Sequence, residues 1–164
     1  MTEIQTELQK TYKQNKHLIF TLQGELYGVP LVSVMEVLAI TDVMEIPHVP
    51  KWFRGLINLR GRIISVIDLR RRVLNCEVED KPQKTAIVIM YHNGLMVGLV
   101  VDELIEVIGL PEQKSSEQFQ HASQNSKNSN FVCGVTQKDN NRDLILLLDV
   151  DKIVSVGDRS KLRN

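Results

Sequence analysis

The chain has 164 residues, 43% hydrophobic and 24% charged, with 20 Lys plus Arg balanced by 20 Asp plus Glu. That length suits one domain or two small subdomains sharing a core, and it buries about 70% of the unfolded surface without help from disulfides or metals. Zero net charge argues against a dedicated nucleic-acid binder, which carries a basic excess. The two cysteines, Cys76 and Cys133, lack metal-ligand spacing and read as buried small hydrophobes or free thiols.

Residues 1–16 are polar, have no apolar signal core and read as a flexible N-terminal segment; no run of eighteen apolar residues occurs anywhere. The expectation is a cytoplasmic protein without direct membrane insertion, carried to a membrane only by a partner. From residue 17 the pattern is β-like. "HLIFTL" and "YGVPLV" flank the turn signal "QGE". "PLVSVMEV" reads as the first of three short helices, each of about two turns. Trp52 and Phe53 precede a turn and read as core plugs.

The next pair of strands meets at Asn58-Leu59-Arg60-Gly61, a predicted hairpin tip. There Gly61 permits a positive φ and Asn58 bonds the turn backbone. "IISVIDL" is apolar on both faces except at Ser65, which predicts an interior strand. "DLRRRVL" is the second helix, with Asp68 placed as its N-cap. "KTAIVIMY" and "LMVGLVV" flank Asn93-Gly94, a tight-hairpin dipeptide. The polar stretch 121–130 reads as an inserted flexible loop. "FVCGVTQ" and "DLILLLD" form the last hairpin, and "DVDKIVS" is the third helix, capped by Asp149. Together these elements predict a mainly β fold built from barrels.

The pattern also echoes itself. Gly28 precedes Glu36 by eight residues and Gly98 precedes Glu106 by eight, and on that register Val29 meets Leu99, Val34 meets Leu104 and Val37 meets Val107. Gly55 opens a hairpin ending in "IDL", and Gly134 opens one ending in "LDV". Two related β-units of about 65 to 70 residues account for this, since units that small need a partner to be stable.

No chemistry of catalysis emerges. His17, His48, His92 and His121 are scattered without Cys, Asp or Glu at ligand spacing. There is no nucleophile elbow and no phosphate-binding glycine loop. The reading is therefore no enzyme, no metal and no cofactor. Aromatic residues are only 5% of the chain, too few for a base-stacking platform. Six arginines remain between residues 54 and 72. Arg71 and Arg72 read as a solvated face. Arg60 stands apart, because a rigid tip aims a planar guanidinium at a partner's carboxylate.

"YGVPLVSVMEV", "FRGLINLRGRIISVIDLR" and "MVGLVVDELIEV" resemble the CheW family of bacterial chemotaxis coupling proteins, over residues 17–155. The resemblance implies two small five-stranded β-barrel subdomains packed with a groove between them and few short helices. Their approximate spans are 17–82 and 83–155, in a chain able to exchange strands between them, with 156–164 as a tail. It implies an adaptor that couples chemoreceptor tips (methyl-accepting chemotaxis proteins) to the regulatory domain of a CheA-type histidine kinase. In that family the receptor tip docks near the groove, and the kinase domain packs on a barrel end through apolar residues. The alternative reading is a coupling protein of a related chemosensory-like system controlling surface motility or gene expression, and a nucleic-acid-binding β-barrel is the remote alternative.

By this resemblance Glu36 and Arg60 occupy charged positions of receptor or kinase contact, with Asn58 beside Arg60 and Val34 as an apolar anchor. Gly28, Gly55, Gly61 and Gly98 match positions of turns or close packing. Ser65 replaces a common family proline, and Leu38-Ala39 stands where charged or polar residues are frequent.

Overall fold

The computed structural model describes residues 2–6, 15–110, 129–138 and 143–154. The expected inserted loop falls outside these up to residue 128, as do the C-terminal tail and most of the N-terminal segment. Ten strands carry the fold: β1 (Lys16–Leu22), β2 (Glu25–Pro30), β3 (Val34–Ala39), β4 (Phe53–Leu59), β5 (Arg62–Asp68), β6 (Ala86–His92), β7 (Leu95–Val101), β8 (Glu103–Gly109), β9 (Val132–Gln137) and β10 (Leu144–Leu148). Helix α1 (Leu69–Leu74) follows β5, and α2 (Val150–Ile153) follows β10.

The strands form two five-stranded sheets, with few short helices beside them. The first has the order β8-β1-β2-β10-β9 and the second β3-β6-β7-β5-β4. Neither sheet is contiguous in the chain. The first joins β1 and β2 to three strands from beyond residue 102, and the second joins β6 and β7 to three strands from before residue 69. Each sheet is joined by one parallel pair, β2 with β10 and β7 with β5, and one antiparallel pair, β1 with β8 and β6 with β3.

The registers repeat between the sheets. Gly28 lies opposite Ile19 and Leu147 in the first, and Gly98 lies opposite Ile89 and Val66 in the second. A Cβ on Gly28 would come within 3.0 Å of Ile19 Cδ1, whose side chain would have to give, and one on Gly98 within 2.9 Å of Ile87 Cγ2, so close that Ile87 would have to shift.

Strands buried on both faces explain the long apolar runs. Leu18, Phe20 and Val29 of the first sheet meet Val88, Met90 and Leu99 of the second in a shared core layer. On the far face of the second sheet Ile57, Ile64, Val66, Ile87 and Ile89 form a core of their own, and Ile19, Ile145 and Leu147 do so on the first.

One predicted helix is a strand. Only Leu31–Ser33 of "PLVSVMEV" makes a 3-10 turn, and Val34 onward is β3, paired with β6. The β-branched Val34 and Val37 suit a pleated edge, and an available neighbour outweighs weak helical spacing.

Candidate functional site

The tip between β4 and β5 is built by local rules. Arg60 and Gly61 have φ of 51° and 82°, the two positive values of a two-residue hairpin turn that matches strand twist. Asn58 Oδ1 accepts the Gly61 N–H at 2.8 Å and closes the turn. This holds Arg60 out from the sheet, with its side chain 74% exposed.

Arg60 then reaches across the molecule to Glu36. Its Nη1 donates to Oε1 at 2.7 Å and Nη2 to Oε2 at 2.9 Å, a bidentate fork. The Arg60 hydrogen bonds hold the Glu36 carboxyl below the usual carboxylate range. β3 and β4 are the two edges of the second sheet, so this pair ties one edge to the other. A second tie lies further along: Met44 exchanges both backbone hydrogen bonds with Leu56, at 2.8 and 2.9 Å. Gly55 makes that approach possible, with φ of 140° and no room for a Cβ beside the Met44 carbonyl.

Val34 is not the apolar anchor of this surface. It is 8% exposed and lies in the shared core, because the bulge between Val34 and Glu36 turns it inward. The exposed apolar side chains are Met35 and Val37, flanking Glu36, and Ile63, just past the tip. Where β3 of one sheet meets β8 of the other, a groove of about 320 Å³ opens, lined by Val37, Leu38, Ala39, Lys84, Glu103 and Leu104 among others.

The remaining arginines divide by role. Arg70 has no exposed side-chain surface. Its Nε donates to Asp68 Oδ1 at 2.9 Å, its Nη2 to Asp68 Oδ2 at 2.7 Å and Asp80 Oδ1 at 2.8 Å, and its Nη1 to Asp102 Oδ1 at 3.1 Å. Burial works against its charge, and the carboxylates outweigh burial and raise its pKa. Arg54 pairs with Asp80 through both terminal nitrogens and reaches Asp68 at 3.3 Å. Asp102 Oδ2 accepts the Gln23 N–H at 2.7 Å, so the network runs from α1 to the β1–β2 turn and joins the sheets.

Arg71 and Arg72 do not form a solvated face. Arg71 donates to the Lys51 carbonyl at 3.2 Å, and the Arg72 guanidinium lies 4.1 Å from the Trp52 ring centre and 5.1 Å from that of Phe131. Asp68 accepts the Arg70 N–H and Asp149 the Lys152 N–H, each ahead of its helix. Among the described residues no cluster of His, Cys, Asp or Glu is placed to hold a metal ion. None of their helices is long and apolar enough to cross a membrane.

The network also sets an acid limit on stability. Arg54's hydrogen bonds hold Asp80 below the ordinary carboxylate range against partial burial, with Arg70 adding to the effect. A depressed folded pKa stabilises fully above the unfolded value, about 4, and that stability is lost as pH falls through the folded value. Melting temperature should therefore drop below about pH 4, and Asp80→Asn should be less stable at neutral pH with a shallower acid slope. Thermal melts across the acid range check this; an unchanged slope in the variant contradicts it.

A tied hairpin tip, exposed apolar strands and a groove between two sheets suit protein contacts. The family model of the CheW-like domain matches residues 16–157. The chain belongs to that family. It is 28% identical over 149 residues to the chemotaxis protein CheW of Klebsiella aerogenes, covering 90% of this chain and 86% of that protein. With CheW of Treponema pallidum it shares 27% over 157 residues, 93% and 89% of the two chains. The crystal structure of the scaffolding protein TtCheW from Thermoanaerobacter tengcongensis superposes with a TM-score of 0.74 at 29% identity, covering 88% and 94%. Members of the CheW family are non-enzymatic adaptors of the chemotaxis scaffold, and this chain is one of them.

Proposed function

We propose that this protein couples the cytoplasmic tips of chemoreceptors to the regulatory domain of a CheA-type histidine kinase. It works in the cytoplasm and reaches the membrane through the receptor. The observation that carries the reading is the forked Arg60–Glu36 pair, set among Met35, Val37 and Ile63. The kinase domain packs on these apolar side chains, with the pair at their rim setting register and partner choice. The receptor tip, a helical hairpin, takes the groove between β3 and β8. Weak contacts at two places suffice, because a molecule held at one is presented at high effective concentration to the other.

Reconstitution of kinase activity with receptor, kinase and this protein tests the proposal. Omitting the protein should abolish receptor-dependent activity. Arg60→Glu should reduce it by about tenfold or more, since reversing a rim charge sets like charges against each other and against the partner. Its melting temperature should stay close to the wild type, because the tip contributes little to the core. Activity that ignores the wild-type protein would rule the reading out, and unfolding of the variant would remove the rim role of Arg60.

A further inference from the structure

The second sheet is tied edge to edge by Arg60 and Glu36, and the first sheet has a tie of the same design. Glu106 on β8 lies opposite Ile19 of β1, as Glu36 on β3 lies opposite Ile89 of β6. Both pairings carry a bulge one step away, between Ile19 and Phe20 in the first sheet and between Val34 and Glu36 in the second. Lys138 follows the last residue of β9 as Arg60 follows the last residue of β4, and its Nζ donates to Glu106 Oε1. β8 and β9 are the two edges of the first sheet. Each sheet therefore has a cation just past one edge strand pairing with a glutamate on the other.

The equivalence extends to the exposed side chains. Met35 and Val37 correspond to Ile105 and Val107, and three residues before Val66 and Leu147 stand Ile63 and Leu144. All six are exposed apolar residues. The two glutamate-bearing strands also face each other across the groove: β3 supplies Val37, Leu38 and Ala39 to one wall, and β8 supplies Glu103 and Leu104 to the other. A strand whose only paired neighbour is on one side needs something to hold its free side, and each of these two strands has one cross-edge ion pair.

We infer that Lys138 is a positioning residue of the groove, acting through Glu106 to hold the β8 wall as Arg60 acts through Glu36 to hold the β3 wall. The inference rests on the proposed adaptor reading for its functional consequence, and on the registers for its geometry. The side chains of Lys138 and Glu106 are 35% and 33% exposed, so the pair is partly withdrawn from water and is screened less than a surface pair. No glycine follows Lys138 as Gly61 follows Arg60, so the sequence carries no local sign of the equivalence.

Two measurements on the full chain test this. Amide hydrogen exchange should show β8, residues 103–109, exchanging at least about tenfold faster in Lys138→Glu, with β3 and β6 unchanged, as local opening predicts. Titration with the receptor-tip fragment should show about five- to tenfold weaker binding for Lys138→Glu, with kinase-domain binding unchanged. Lys138→Arg should behave as wild type, and Glu106→Lys combined with Lys138→Glu should recover both readouts. If Lys138→Glu does not fold, Lys138→Gln takes its place with a smaller effect of the same sign. Unchanged exchange and tip binding, or a swap that recovers neither, overturns the inference. A wild-type protein that fails to bind the tip defeats the adaptor reading instead, and the exchange arm still decides whether Lys138 holds β8.

Discussion

Replacing Arg70 with methionine should destabilise the fold by about 3–5 kcal/mol, because breaking a buried ion pair from one side strands the other charge. Methionine fills much of the space and adds no polar group, so the loss reads the charge network and not a cavity. Asp68 is fully buried and would keep Arg54 at 3.3 Å, Arg71 Nε at 4.0 Å and one backbone N–H. Asp80 and Asp102 would each lose a donor. For a chain of this size the melting temperature should fall by roughly 6–20 °C, at about 2–4 °C per kcal/mol. Arg70→Lys should fall between, since a single ammonium cannot span three carboxylates as the planar guanidinium does. Adding Asp68→Asn and Asp102→Asn to Arg70→Met should recover part of the loss, because the stranded charges leave with the partner while Asn keeps the helix cap. Urea unfolding gives the comparison. An Arg70→Met unfolding free energy within about 1 kcal/mol of wild type would show the carboxylates finding other partners, and the network would not be what joins the sheets.

Much of this architecture is legible in the sequence because its cues are local. Asn93-Gly94 and Arg60-Gly61 are turn dipeptides, and all four residues have the positive φ their turn requires. "IISVIDL" lacks a polar face and is the interior strand β5, between β7 and β4. The two residues of each eight-residue glycine-to-glutamate spacing lie in different sheets: Gly28 stands in register with Ile19 and Glu106, and Gly98 with Ile89 and Glu36.

What escapes the sequence depends on partners far along the chain. The choice of sheet for each hairpin is set by the parallel pairs of β2 with β10 and β5 with β7 and the antiparallel pairs of β1 with β8 and β3 with β6, which no local pattern encodes. Arg70 reads like its neighbours Arg71 and Arg72, yet its carboxylate partners include residues 80 and 102, and Arg72 finds Phe131. Val34 is buried and Met35 exposed, a choice set by pairing with β6 across a bulge. Lys138 carries no local signal because its glutamate lies 32 residues away.

The smallest possible change at Gly55 should have an effect close to that of losing Arg70. A Cβ there would lie 2.1 Å from the Met44 carbonyl oxygen and 2.8 Å from its carbon, and both are backbone atoms that no rotamer change moves. Either residue 55 abandons its φ of 140° or the 44 segment leaves β4. In the second case two backbone hydrogen bonds are lost, each worth about 1 kcal/mol net. In that same case residue 55 keeps its φ of 140° as an L-residue, in a region that costs about 1–3 kcal/mol more. Gly55→Ala should thus destabilise by about 3–5 kcal/mol, and Gly55→Asp by at least as much, since its carboxylate would point at a carbonyl.

Gly61→Ala is the matched control. Its φ is 82° but nothing lies within 4 Å of the added atom, so only the turn strain of about 1 kcal/mol remains. The functional consequence follows from β4. Its free edge is held by Met44 at Leu56 and by Arg60 at the tip, so displacing residue 44 leaves the tip to hold the edge alone. Gly55→Ala should therefore lose receptor-dependent kinase activation even at a temperature where circular dichroism shows it folded. Full activation by a folded Gly55→Ala protein would mean that the tip keeps its place without the Met44 pairing.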